Sequence, residues 1–124
     1  MNLSHWALAA LLTLAVATPA LADGDAARGK TLFSRCSACH TVTDQNRLGP
    51  HLSGVSGRVA GTAAGYRYSK AMAAYGKSWD DEALDGFLAA PSKIVPGTKM
   101  IAGAIANPQD RADLIAYLKT VPSP

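Results

Sequence analysis

The stretch Arg35 to Val42 reads RCSACHTV and holds both cysteines of the 124-residue chain, with His40 directly after the second. Two thiols three residues apart constrain a small chain more than its hydrophobic pattern does, because each use of them demands different surroundings. A disulfide between Cys36 and Cys39 would close only a very tight loop and restrict little of the unfolded chain. A redox-active CxxC belongs with a strand and helix in a βαβ setting, and no run of alternating β-branched residues offers that strand. Zinc would need four ligands, for which Cys36, Cys39, His40 and His51 are the candidates, and two of these are adjacent residues pointing in different directions.

The compartment bears on the choice. Trp6 to Val16 reads WALAALLTLAV, followed by Thr18, Pro19 and the small-residue pattern Ala20-Leu21-Ala22. Interrupted by Thr13, Thr18 and Pro19, the run falls short of the roughly 20 apolar residues of a spanning helix. Residues 1–22 are therefore expected to be a cleaved signal peptide, with the domain occupying 23–124 and the product exported to the periplasm. A retained anchor is the alternative, since MNLSH supplies no Lys or Arg ahead of the apolar run. In an oxidising compartment CxxCH has one reading that uses all its residues: it is the attachment signature of c-type haem. Across one helical turn the sulfurs at i and i+3 share a side, where they can add to two vinyl groups, and the next residue offers an imidazole to iron. Disulfide or redox chemistry remains the alternative for the pair.

Iron held by one histidine has a sixth position, and its occupant separates an electron carrier from a gas binder or an enzyme. Met72 lies in YSKAMAAYG, a helical stretch where methionine is ordinarily core filler. Met100 ends SKIVPGTKM, in which Pro96 and Gly97 break the chain and let an extended loop carry a soft sulfur over a buried face. Met100 is the expected ligand, with His51 and Lys99 as alternatives.

From Asp25 to Lys119 the chain resembles the class I cytochromes c, closest to the cytochrome c2 and mitochondrial-type group. The resemblance is carried, in the family's order, by CSACH, GPHLSGVSGR, GYRYSKAM, Trp79, PGTKM and RADLIAYLK. It implies a small cytochrome c fold around one haem c attached through Cys36 and Cys39, with His40 and Met100 on the metal. It implies that the Pro50 carbonyl accepts the His40 Nδ1 proton, orienting the ring and raising its basicity. It also implies that Arg58, Tyr68, Ser69 and Trp79 surround the inner propionate, which fits the need of a submerged carboxylate for charged and neutral donors. Read without the resemblance, Tyr68 and Trp79 are equally well ordinary core aromatics. Three positions depart from the family pattern: Phe87 replaces a tyrosine, Met72 an asparagine and Ala102 an aromatic. The first two remove polar partners from the distal side and should alter the potential, with no fixed sign because lost hydrogen bonds and a drier site compete.

The rest of the chain agrees with an all-α fold of short helices joined by Gly- and Pro-marked loops. Asp25 can cap AARGKTLFSRC, Ser78 can cap WDDEALDGFLAA, which Pro91 ends, and Asn107-Pro108 opens a last helix. Leu114, Tyr117 and Leu118 on that helix can pack on Gly29 and Phe33 of the first. The formal charge of +3 falls outside residues 1–22 and is too small and dispersed for a nucleic-acid binder. No acidic residue lies between Asp44 and Asp80 or from Gly86 to Gln109. The implied function is a soluble, monomeric periplasmic one-electron carrier, not an enzyme, serving respiratory or photosynthetic membrane complexes. Lys30, Arg35, Lys93 and Lys99 are its candidate basic face toward acidic docking partners, an attraction that salt should weaken. The alternatives are a membrane-tethered or complex-associated cytochrome, or a gas-binding or peroxidase-like haem protein.

Overall fold

The computed structural model describes residues 23–124; the signal-peptide expectation for 1–22 lies outside them. The first helix, α1 (Ala26–Leu32), starts where the Asp25 carboxylate accepts from the amides of Ala27 and Arg28 at 2.9 and 3.1 Å. A helix of 7 residues is not stable alone, so its docking must hold it. The partner is α5 (Pro108–Thr120), opened by Asn107, whose side chain accepts from Gln109 and Asp110, with Pro108 in the first turn where its missing N–H costs nothing.

The two helices cross at Gly29, where a Cβ would lie 1.9 Å from the Asp113 carbonyl oxygen. Only glycine lets the backbones come this close. Phe33 then meets Tyr117 at 5.6 Å between ring centroids, and Leu114 and Leu118 are buried in the core. A polar clasp closes the crossing: the Asp113 carboxylate, 1% exposed as a residue, accepts from the Asp25 N–H, Gln109 Nε2 and Arg28. Arg28 also reaches Asp110 at 2.7 Å.

Between these ends the chain runs mostly as loops. α2 (Lys70–Tyr75) is capped by Ser69 and ended by Gly76 at φ 67°, a left-handed turn that glycine adopts without strain. α3 (Asp81–Ala89) is capped by Asp80 and not by Ser78. The reason lies in an isolated antiparallel bridge between Val59 and Ser78, with Trp79 N–H donating to Arg58 O at 2.9 Å and Gly57 N–H to Trp79 O at 2.8 Å. That pairing keeps 78–79 extended and moves the helix start to the next side chain able to cap. Asp81 and Glu82 occupy the first turn of α3, where the helix dipole favours them. Pro91 does not simply stop α3. Ala90 leaves the helical conformation ahead of it, at φ −155° and ψ 78°, and Pro91 opens α4 (Pro91–Ile94).

No strand occurs among the described residues, and the architecture is helical. Trp79, Leu84, Phe87, Leu88, Leu114 and Leu118 belong to one buried cluster that forms a shell around a cavity.

Candidate functional site

That cavity measures about 530 Å³ and is lined from segments far apart in the chain, with apolar walls and a few polar groups. Cys36, Cys39 and His40 enter it from the segment after α1, Arg58, Tyr68 and Ser69 from the central loops, Trp79 from the turn before α3, and Met100 from the loop before α5.

Cys36 and Cys39 are free and half-buried. They sit in a single helical turn in which Cys39 N–H and His40 N–H both donate to Cys36 O, at 3.1 and 2.9 Å. Burial pushes the Cys36 thiol above its ordinary pKa, with Arg35 pulling the other way and Cys39 adding a small upward push. Redox-active CxxC thiols have depressed values, so this environment does not suit thiolate exchange.

His40 Nδ1 lies 2.7 Å from Pro50 O. A carbonyl only accepts, so Nδ1 carries the proton and Nε2 keeps its lone pair. Burial also lowers the His40 pKa, the Pro50 bond opposing and the charge of Arg58 reinforcing the effect. The neutral, ligand-competent imidazole is therefore the favoured form. Gly49 is packed against this ring: a Cβ there would lie 2.4 Å from His40 Cε1.

Met100 lies half-buried after a turn in which Thr98 N–H donates to Val95 O and Thr98 Oγ1 accepts from Met100 N–H. Met72 and Phe87 line the same cavity. His51 does not. It is buried, bonded through Nδ1 to Ser53 Oγ at 2.8 Å, and faces a separate surface concavity. Lys99 borders the cavity, but its Nζ donates to Arg67 O.

The polar end of the cavity is built by the Arg58–Trp79 backbone pairing. Arg58 Nη1 donates to Ser53 O and Nη2 to His51 O, both at 3.1 Å. Its Nε is buried with no partner among the described residues. The Tyr68 hydroxyl accepts from Ala63 N–H at 3.0 Å, leaving its own proton to donate, and Ser69 Oγ caps α2 by accepting from Met72 N–H. A buried guanidinium N–H with nothing to meet is costly, and a carboxylate reaching it would remove that cost.

The lining fits a haem. It offers two thiols, a tautomer-fixed imidazole and a thioether around one apolar space, and an orphaned donor where a carboxylate would enter. Sequence reasoning did not single out Gly49, Thr98, Tyr66 or Leu48 in this arrangement. Gly49 and Thr98 sit inside the quoted GPHLSGVSGR and PGTKM motifs, which was the available signal. Of the four candidate basic residues, Arg35 and Lys99 border the cavity, while Lys30 and Lys93 are exposed elsewhere on α1 and α4.

Comparison with known proteins agrees with a small helical haem-binding class. Residues 26–122 match the family model for cytochrome c. Cytochrome c2 of Rhodomicrobium vannielii is 45% identical over 103 residues, which is 82% of this chain and 82% of that one. The cytochrome c-type cyt cy of Rhodobacter capsulatus is 45% identical over 105 residues, 84% of this chain but 53% of that longer protein, so the chain spans about half of it. The structure of cytochrome cH from Methylobacterium extorquens superposes with a TM-score of 0.76 at 48% identity, covering 78% of this chain and 99% of that one. The chain belongs to the cytochrome c family. It is a class I c-type electron carrier and not an enzyme, and haem c, held covalently in this family, is its cofactor.

Proposed function

We propose that the protein is an exported, periplasmic carrier that exchanges one electron at a time with membrane redox complexes, as a monomer, with His40 and Met100 as axial ligands. The observation that carries this is one apolar cavity lined both by Cys36, Cys39 and His40 and, from the distant loop before α5, by Met100. Bound there, haem supplies a one-electron ferric/ferrous couple, and a methionine–histidine ligand pair raises its potential.

The chain's own residues do the rest. Cys36 and Cys39, on one turn, would hold the haem covalently. Pro50 keeps the proton on Nδ1 of His40, so Nε2 is presented to the metal without a rearrangement. Trp79, Leu84, Phe87 and Leu88 keep water from the interior of the cavity. Arg58, Tyr68 and Trp79 offer donors to the buried carboxylate, with the unpartnered Arg58 Nε as the first of them. His40 and Met100, which line the same cavity, would both hold the iron of a bound haem, whose chemistry there would be one-electron transfer. Arg35 and Lys99 at the cavity edge turn a positive rim toward an acidic partner.

An anaerobic redox titration followed in the visible region tests the reading. The ferrous protein should show c-type bands, and the ferric protein the weak absorption near the red end that accompanies sulfur ligation. Met100→Leu should abolish that absorption and lower the midpoint potential. A ferric band that survives the substitution would remove Met100 from the metal.

A further inference from the structure

The loop that carries Met100 is held unequally on its two sides. Ahead of the methionine, Thr98 N–H donates to Val95 O at 3.0 Å and Thr98 Oγ1 accepts from Met100 N–H at 3.2 Å. Beyond it, no backbone N–H or C=O of Ile101, Ala102, Gly103 or Ala104 hydrogen-bonds to a described residue. The chain is caught again only at Ile105, whose N–H donates to Leu88 O and whose carbonyl accepts from Arg111 Nη1, both at 2.8 Å. Ile101 is 87% exposed. Gly103, at φ +94°, leaves the space a side chain would need to the Met100 methyl, 3.0 Å from the ideal Cβ position.

Lys99 supplies an anchor that the far side lacks. Its Nζ donates to the carbonyl of Arg67 and stands 5.6 Å from the centroid of the Tyr66 ring. The Tyr66 hydroxyl donates to Leu48 O at 2.8 Å, and its ring meets Tyr68 edge-on at 4.8 Å. Leu48 directly precedes Gly49 and Pro50, the two residues against the His40 ring. A continuous set of contacts therefore runs from the residue before Met100, across segment 66–68, to the loop that braces His40. A charge-assisted bond to a carbonyl and a cation over an aromatic face each favour the closed position.

We infer that Lys99 and Tyr66 form a latch that keeps the Met100 loop closed, and so determines how readily the sixth position admits a small nitrogenous ligand from solution. The inference rests on the reading of Met100 as axial ligand. Tyr66 is a positioning residue that acts through Lys99 and Leu48. Displacing the loop has to break the Lys99 and Thr98 contacts but nothing in the α1–α5 crossing, so the opening is local.

The test is a titration of the ferric holoprotein with imidazole, followed by loss of the red-end sulfur absorption, in wild type, Tyr66→Phe, Tyr66→Leu and Asp113→Asn. Tyr66→Phe keeps the ring beneath Lys99 and frees it from Leu48, and should tighten apparent imidazole binding several-fold. Tyr66→Leu removes both contacts and should tighten it about tenfold, equivalent to about 1.4 kcal/mol. Asp113→Asn lowers global stability away from the loop and should leave imidazole affinity unchanged. Unchanged affinity in Tyr66→Leu, or an equal gain in Asp113→Asn, overturns the latch while leaving Met100 ligation standing. A wild-type ferric spectrum without the sulfur absorption overturns the ligation reading and the latch with it.

Discussion

Gly49 has no side chain because the His40 imidazole occupies the space one would need. An added methyl would meet Cε1 at 2.4 Å, Nδ1 at 2.8 Å and Nε2 at 2.9 Å, so the ring and not a flexible tip would have to yield. Gly49→Ala is expected to displace His40 from its bond to Pro50 and to destabilise the holoprotein by about 1–3 kcal/mol, the usual range for overpacking. A thermal melt of the purified holoprotein checks this, and an unchanged midpoint would show that the ring can move aside freely. The residue types of the site were legible in the sequence because the motif joins two thiols to an imidazole at a spacing that only haem attachment uses in full. Gly49 was not, since a glycine beside a proline reads equally well as an ordinary turn. His51 illustrates the same limit from the other direction: residue type alone left it as an alternative to Met100, and only the structure shows it facing a different surface.

At the scale of elements, α1 and α5 depend on each other, and Asp113 is the group they share. Its pKa is held below the ordinary carboxylate range, first by the Asp25 backbone N–H, then by Arg28 and Gln109, with burial opposing. The unfolded chain therefore binds this proton at higher pH than the folded one does. The resulting stability is fully present above the ordinary carboxylate value and is lost as pH falls through the lower folded value. Asp113→Asn should lower the thermal midpoint at neutral pH and flatten its fall in acid, so that the two curves approach each other at low pH; parallel curves would show that Asp113 is not linked to folding. The caps Asp25 and Asn107 were readable locally, because a side-chain oxygen beside a helix start acts within a few residues. The start of α3 was not. Ser78 has the chemistry of a cap, but its backbone is taken by Val59 from the loop before α2, and no local pattern announces that long-range pairing.

At the scale of the whole molecule, the apolar walls of the cavity of about 530 Å³ are the chain's largest shared surface, and without a cofactor they would face water instead of a packed partner, at a cost of about 25 cal/mol per Å² of apolar surface left exposed. The walls must collapse or flood if nothing fills them. The double variant Cys36→Ala, Cys39→Ala, which cannot tether haem, is expected to lose much of its helical circular dichroism signal. A native-like spectrum from haem-free protein would show instead that the polypeptide shell supports itself.

By itself the sequence determined the chemistry on offer and the class of fold, since both depend on residue types at short spacings: CSACH, the PGTKM turn, the capped helices and the absence of strand periodicity. The tertiary structure decided which distant groups meet. It placed Met100 in the same cavity as His40, kept His51 out of it, left Arg58 Nε without a partner and set Lys99 over Tyr66. The physical reason is that glycine-permitted close packing, paired loops and a shared cavity depend on segments far apart in the chain, whose approach no local preference encodes.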